Sequence, residues 1–220
     1  MKAGKATYRS PADLPETIPV FPLPAALLLP RAQMPLNIFE PRYLAMVDAA
    51  MAGDRIIGMI QPEGEGEGAL FPIGCMGRIT SYAETDDGRY MICLTGIARF
   101  RVLEEVAGSR GFRLCRVTAE PFQEDFLENA GAEAVDRVRL LDVFRAYLDA
   151  HNLEADWENI GRTSNETLVN ALSIMSPYGP AEKQALLEAA DLRSRAETLI
   201  ALTEVTLARK GEGGSSPLLQ

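Results

Sequence analysis

The sequence predicts a segregated α+β fold, with strands first and helices second. Three observations carry that expectation. The apolar stretch from residue 18 onward holds Pro19, Pro22, Pro24, Pro30 and Pro35, a density no helix tolerates. Between residues 71 and 117, short strand-like segments are separated by turn signals, and those at 99–103 and 112–117 alternate apolar and polar residues, as in half-buried strands. After Pro121 the apolar period changes from two to three or four, the helical repeat.

Residues 1–15 are polar, with Lys2, Lys5, Arg9, Ser10 and Pro11, and read as a flexible leader. Short strands are expected at 18–21, 27–29 and 36–39, broken by the prolines. A helix follows from Pro41 to about residue 52. Proline suits its first turn, Tyr43, Leu44, Met46, Val47 and Ala50 recur at helical spacing, and Gly53 stops it. Residues 55–61 contain the run IIGMI, a buried strand. Residues 63–68 alternate glutamate and glycine. They lack the Lys-Ser or Lys-Thr of a phosphate loop, and their carboxylates would repel phosphate, so a flexible hairpin-type loop is expected.

A long strand over 71–83, bent at Gly74 or Gly77, leads into an Asp87-Gly88 turn. Residues 90–94 return, Gly96 breaks the strand, and 99–103 alternate. A turn at 108–111 precedes an alternating strand at 112–117. Helices are expected over 135–148 (six or so turns), 166–175, 180–189 and 192–209. Trp157 would anchor the polar connection after His151. A glycine-rich tail closes the chain. The domain plan is thus a leader (1–15), a β-rich subdomain (16–122), a helical bundle (123–210) and a flexible tail (211–220).

Hydrophobic residues make up 47% of the 220, which excludes wholesale disorder. No apolar run nears the roughly 20 residues that span a bilayer, and the N-terminus does not read as a secretory signal. A cytoplasmic protein without membrane contacts is expected. Cys75, Cys93 and Cys115 are far apart, without a C-x-x-C pair. They read as buried apolar residues, and neither a disulfide framework nor a zinc site is expected. The net charge is −9: residues 1–120 carry −1 and residues 121–220 carry −8. Such a surface repels phosphate backbones, so nucleic acid is a poor partner.

An ordered series of motifs makes the chain recognisable. PVFPLPAALLLP and PLNIFEPRY come first, the latter containing Glu40, Pro41, Arg42 and Tyr43. DRIIG at 54–58, FPIGC at 71–75 (with Gly74), GRIT at 77–80, DGRY at 87–90 and LTGIARF at 94–100 (with Arg99 and Phe100) follow. Asp156-Trp157 and EKQALLE at 182–188 complete the series. Over roughly residues 14–210 it resembles the N-terminal, substrate-binding domain of Lon proteases, most closely the bacterial stand-alone versions. The resemblance implies a PUA-like β pseudobarrel holding one helix, followed by a helical bundle. It also implies a module that binds unfolded or partner polypeptides, including a separate Lon-type protease, in protein quality control.

No catalytic constellation is legible. A triad would have to use His151, which reads as an exposed or capping residue. A Ser-Lys dyad has only Lys2, Lys5, Lys183 and Lys210 to draw on, none expected to be desolvated. The Lon ATPase motifs and peptidase Ser and Lys have no counterpart. The expectation is a non-enzyme without cofactor or metal. Glu40, Arg42 and Tyr43 read as a helix cap with a first-turn ion pair. By the resemblance, the loops holding Pro30 and Met34 and holding Phe71 and Pro72 would contact polypeptide, as an apolar patch at one barrel end. The rivals are RNA or small-molecule binding. RNA binding would need a basic sheet face, for which Arg99, Arg101, Arg113 and Arg116 are the candidates.

Overall fold

The computed structural model describes residues 1–64, 68–107 and 111–213, with side chains placed through residue 209. Strand β7 (Tyr90–Val106) is its seam. The other strands are β1 (Lys2–Ala3), β2 (Ala6–Thr7), β3 (Thr17–Pro22), β4 (Gln33–Ile38), β5 (Ile56–Ile60), β6 (Ile73–Glu84) and β8 (Arg113–Thr118). β6 pairs along most of β7, β4 pairs with the first part of β7, and β8 with the last part. β6, β5, β3 and β8 continue side by side, so the ring closes on β7 and β4 hangs outside it. All these pairs are antiparallel except β3 with β5. This is the pseudobarrel.

Alternate residues of the ring face two separate cores. Ile18, Val20, Ile56, Ile60, Phe100, Cys115 and Val117 share one cluster with Ala3 and Tyr8. Phe21, Ile57 and Met59, with the opposite parity, share the other. That second cluster takes in helix α1 (Pro41–Met51) through Tyr43, Met46, Val47 and Ala50, and continues into the helices through Leu168, Leu186 and Leu199. β5 is therefore buried on both faces, which explains why IIGMI is an unbroken apolar run.

The helical part comprises α2 (Arg137–Ala150), α3 (Trp157–Arg162), α4 (Asn165–Met175), α5 (Pro180–Glu188) and α6 (Leu192–Gly213). Asp136, Asp156 and Ser164 cap α2, α3 and α4 by accepting backbone N–H bonds from Arg139, Asn159 and Thr167. A 3₁₀ stretch, Glu120–Phe126, joins the two parts, with Phe122, Asp125 and Phe126 buried.

Several expectations need correction. Residues 1–15 are not a loose leader: β1 and β2 form a hairpin, Ala3 and Tyr8 are buried, and the N-terminal ammonium donates to the Phe126 carbonyl. Two-residue strands are too short for any periodic signal. Residues 27–29 form no strand; Leu27, Leu28 and Leu29 are buried in a loop lying across β7. Gly96 does not break β7 but lets that loop pass, because a Cβ there would overlap the Leu29 carbonyl oxygen. α2 has 14 residues, about four turns instead of six, and Val138 on it is 72% exposed. Trp157 opens α3, half-buried under the Arg145 guanidinium at 4.5 Å. Parts of the 63–68 loop and the 108–111 turn, and the tail beyond residue 213, lie outside the described residues.

Candidate polypeptide groove

Two hollows flank the sequence-selected residues. The larger, about 520 Å³, lies where β3, β4 and the start of β8 meet the first turn of α1. Its floor is aromatic. The Phe21 and Tyr43 rings sit 4.2 Å apart, and both residues, with Phe112, are buried. Leu23 and Leu36 line the sides, and Pro22, Pro24 and Pro62 stiffen the rim. Phe39 stands over this hollow 62% exposed, the Arg89 guanidinium 5.9 Å from its ring centre. A large exposed aromatic beside an apolar hollow is the form of a tolerant binding surface.

Local sequence builds this hollow. Pro41 at the first helical position starts α1 and leaves Glu40 as its N-cap. Glu40 makes no side-chain cap bond; its carboxylate pairs with Arg42 at 3.0 Å. Arg42 also stacks over Tyr43 at 4.7 Å. On the opposite rim, Arg113 pairs with Glu105 at 2.5 Å. The rim is thus polar, the floor apolar.

Pro30 lies elsewhere, buried in a crevice of about 300 Å³ between the β4 approach and α4, with Gln33 and Met175. Met34 is half-buried on β4 opposite Leu94, and Phe71 is half-buried beside exposed Pro72. Pro72 accepts a bond from the Val102 N–H, eight residues along β7 from Leu94 and so about 26 Å by strand rise. The structure does not bring Pro30, Met34, Phe71 and Pro72 into one hollow. Phe39, Phe112 and Leu23 are not among the residues the sequence marks for binding; Phe39, inside IFEPRY, and Leu23, inside PVFPLPAALLLP, do lie in the motifs that mark the chain.

Three of the four arginines are engaged by acidic residues, and only Arg101 stands exposed on the strand without such a pair among the described contacts. Arg99 is buried, bidentate on Asp125 at 2.9–3.3 Å, and donates to the Leu187 and Ala189 carbonyls. Arg113 and Arg116 are paired with Glu105 and Glu104. Gly74 permits close packing: a Cβ there would lie 2.5 Å from the Met59 carbonyl oxygen and the buried Phe100 ring.

Burial drives the Cys75 thiol far above its ordinary pKa and the Cys115 thiol up to about 11, so neither is a thiolate nucleophile. His151 is the C-cap of α2, its Nδ1 2.8 Å from the Tyr147 carbonyl oxygen. Lys183 corrects an expectation, since it is 4% exposed. Its Nζ donates to the Ser173 and Ile174 carbonyls at the end of α4, and desolvation lowers its pKa to about 8. With both protein partners being carbonyls, it has no nucleophile to activate. Among the described residues, no cluster of His, Cys, Asp and Glu is arranged to hold a metal, and no helix is long and apolar enough to cross a membrane.

Comparison with known proteins matches residues 17–204 to the family of the ATP-dependent protease La (LON) substrate-binding domain. Lon protease 2 of Myxococcus xanthus is 26% identical over 200 residues, covering 86% of this chain and 24% of that protein. The Lon protease of Desulfosudis oleivorans is 37% identical over 94 residues, 40% of this chain and 12% of that protein. The chain therefore spans about a quarter or less of these curated relatives. Solved structures share the fold, two of them as follows. The Lon N-terminal domain protein of Xanthomonas campestris is 24% identical with a TM-score of 0.59, covering 84% of this chain and 97% of that one. The N-terminal domain of the Mycobacterium avium complex Lon protease is 20% identical with a TM-score of 0.62, covering 86% and 98%.

Proposed function

Because the chain belongs to the family of the ATP-dependent protease La (LON) substrate-binding domain, we propose that it is a non-enzymatic polypeptide-recognition module. Its ligands are exposed apolar segments of unfolded or partner chains. It works in the cytoplasm, in protein quality control, as adaptor or regulator beside a Lon-type protease. The observation that carries the reading is the groove floored by Phe21, Tyr43 and Phe112 with Phe39 exposed over it. Three of the residues that mark the family, Glu40, Arg42 and Tyr43, line that groove.

An apolar segment settling there gains about 25 cal/mol per Å² of apolar area removed from water. Ordering and association cancel much of this, giving micromolar affinity or weaker. Phe39→Asp should reduce capture of a chemically unfolded, carboxymethylated model protein at least tenfold. It should leave the melting temperature unchanged, because Phe39 is already exposed. Capture unchanged by Phe39→Asp but lost in Met34→Asp or Phe71→Asp would move the site to the loops holding Pro30, Met34, Phe71 and Pro72.

A further inference from the structure

We propose that the small polar recess between barrel and helices, lined by Arg31, Arg99, Asn170 and Arg195, binds a monovalent anion of halide size. The recess is about 30 Å³, room for one monatomic ion or one or two waters. Three arginines line it, and in two of them every guanidinium nitrogen has a protein partner. Each guanidinium nitrogen of Arg99 has a partner, Asp125 or one of two carbonyls. Arg31 is held by Glu166 and the Asp125 carbonyl. Arg195 is different. Its Nε donates to the Leu186 carbonyl at 2.9 Å and its Nη1 to Asn170 Oδ1 at 3.1 Å, but its buried Nη2 has no protein partner. The residue is 4% exposed.

Charge and dipole point the same way. The two buried carboxylates are already taken, Asp125 by Arg99 and Glu166 by the half-buried Arg31, which leaves buried Arg195 without a carboxylate partner. Glu124 and Asp191 also line the recess, but both are exposed, and Asp191 accepts the Ser194 N–H as the cap of α6. Arg195 lies in the first turn of α6, a helix of 22 residues whose N-terminus adds positive potential. An unpaired buried cation is costly. Burial, and then the neighbouring Arg99 guanidinium, lower the Arg195 pKa to about 10. One monovalent anion relieves both effects. A polyatomic dianion exceeds the recess and would crowd the surrounding carboxylates. The bound ion would clasp the Arg31 turn, the 120–126 segment, α4 and α6 together.

The test is thermal unfolding of the purified chain at fixed pH and ionic strength, with chloride or bromide replacing gluconate. A saturable rise of a few degrees is expected in chloride and bromide, absent in Arg195→Gln. Crystals soaked in bromide should show an anomalous peak within hydrogen-bonding distance of Arg195 Nη2. Equal melting temperatures in gluconate and chloride, or an ordered water there without a bromide peak, would overturn the proposal. If Arg195→Gln fails to fold, the wild-type anion series and the bromide peak still decide.

Discussion

At the scale of single residues, the buried charges are the positions where losing one partner is costly. Asp125 holds both the Arg99 side chain and its backbone N–H, at 2.8 Å for the latter. Asp125→Ala leaves Arg99 buried without a counter-charge and should cost about 3–5 kcal/mol in urea denaturation. A loss under about 1 kcal/mol would mean water reaches Arg99 freely. Lys183 makes a pH prediction. Its folded pKa, about 8, lies below the ordinary lysine value of 10.5, so between those limits the unfolded chain binds more protons. Stability contributed by this group therefore rises as pH rises from 8 to 10.5, where the buried charge is relieved. Wild type should gain stability over Lys183→Met between pH 7.5 and 10; parallel responses of the two proteins would refute this. None of these burials was legible in the sequence. Arg99 sits in an alternating strand like its neighbours, and Lys183 sits in a polar helix start; only the packing of the helices on the sheet removes them from water.

At the scale of elements, legibility followed signal length. α1 was readable because Pro41, an apolar stripe and Gly53 agree over a dozen residues. β5 was readable from an unbroken apolar run. The β1–β2 hairpin and the Leu27–Leu29 loop were not, because burial there is decided by residues more than 60 positions away, Gly96 among them. Two glycines make this measurable. Gly96→Ala drives a methyl group into the Leu29 carbonyl and should cost upward of about 1–3 kcal/mol. Gly161→Ala meets nothing within 4 Å inside α3 and should gain about 0.5–1 kcal/mol. Equal effects from the two would show that the loop yields. The hairpin gives a further test. Removing residues 1–9 uncovers the cluster that holds Ala3, Tyr8 and Phe126, and should lower the melting temperature by many degrees. An unchanged melting temperature would restore the loose-leader reading.

At the scale of the whole molecule, strand-then-helix order was plain in the periodicity, but the joint between the parts was not. One hydrophobic cluster runs from Phe21 in β3 to Ile200 in α6. The groove is likewise assembled from Phe21, Phe39 and Phe112, residues some 90 positions apart that no local pattern links. A shared core predicts shared unfolding. Trp157, the sole tryptophan, reports on the helical part, while far-UV circular dichroism reports on the whole. Their urea transitions should coincide. A tryptophan transition at clearly lower urea would mean the helices unfold from an intact barrel.

The closure of the ring has a consequence for synthesis. The outer edge of β3 is covered by β8, and the Ile18–Cys115 pairing joins positions 97 residues apart. At translation rates of about 5–20 residues per second, β3 emerges some 5–20 seconds before the strand that covers it. Its other neighbour, β5, also comes later in the chain. Until β5 follows, both edges of this apolar strand are open, and until β8 follows one edge stays open, ready to pair with whatever strand it meets. A ribosome stalled before residue 113 should therefore yield nascent chains that aggregate or recruit chaperones. One stalled far enough beyond residue 118 for β8 to clear the exit tunnel should yield chains resistant to protease through the barrel.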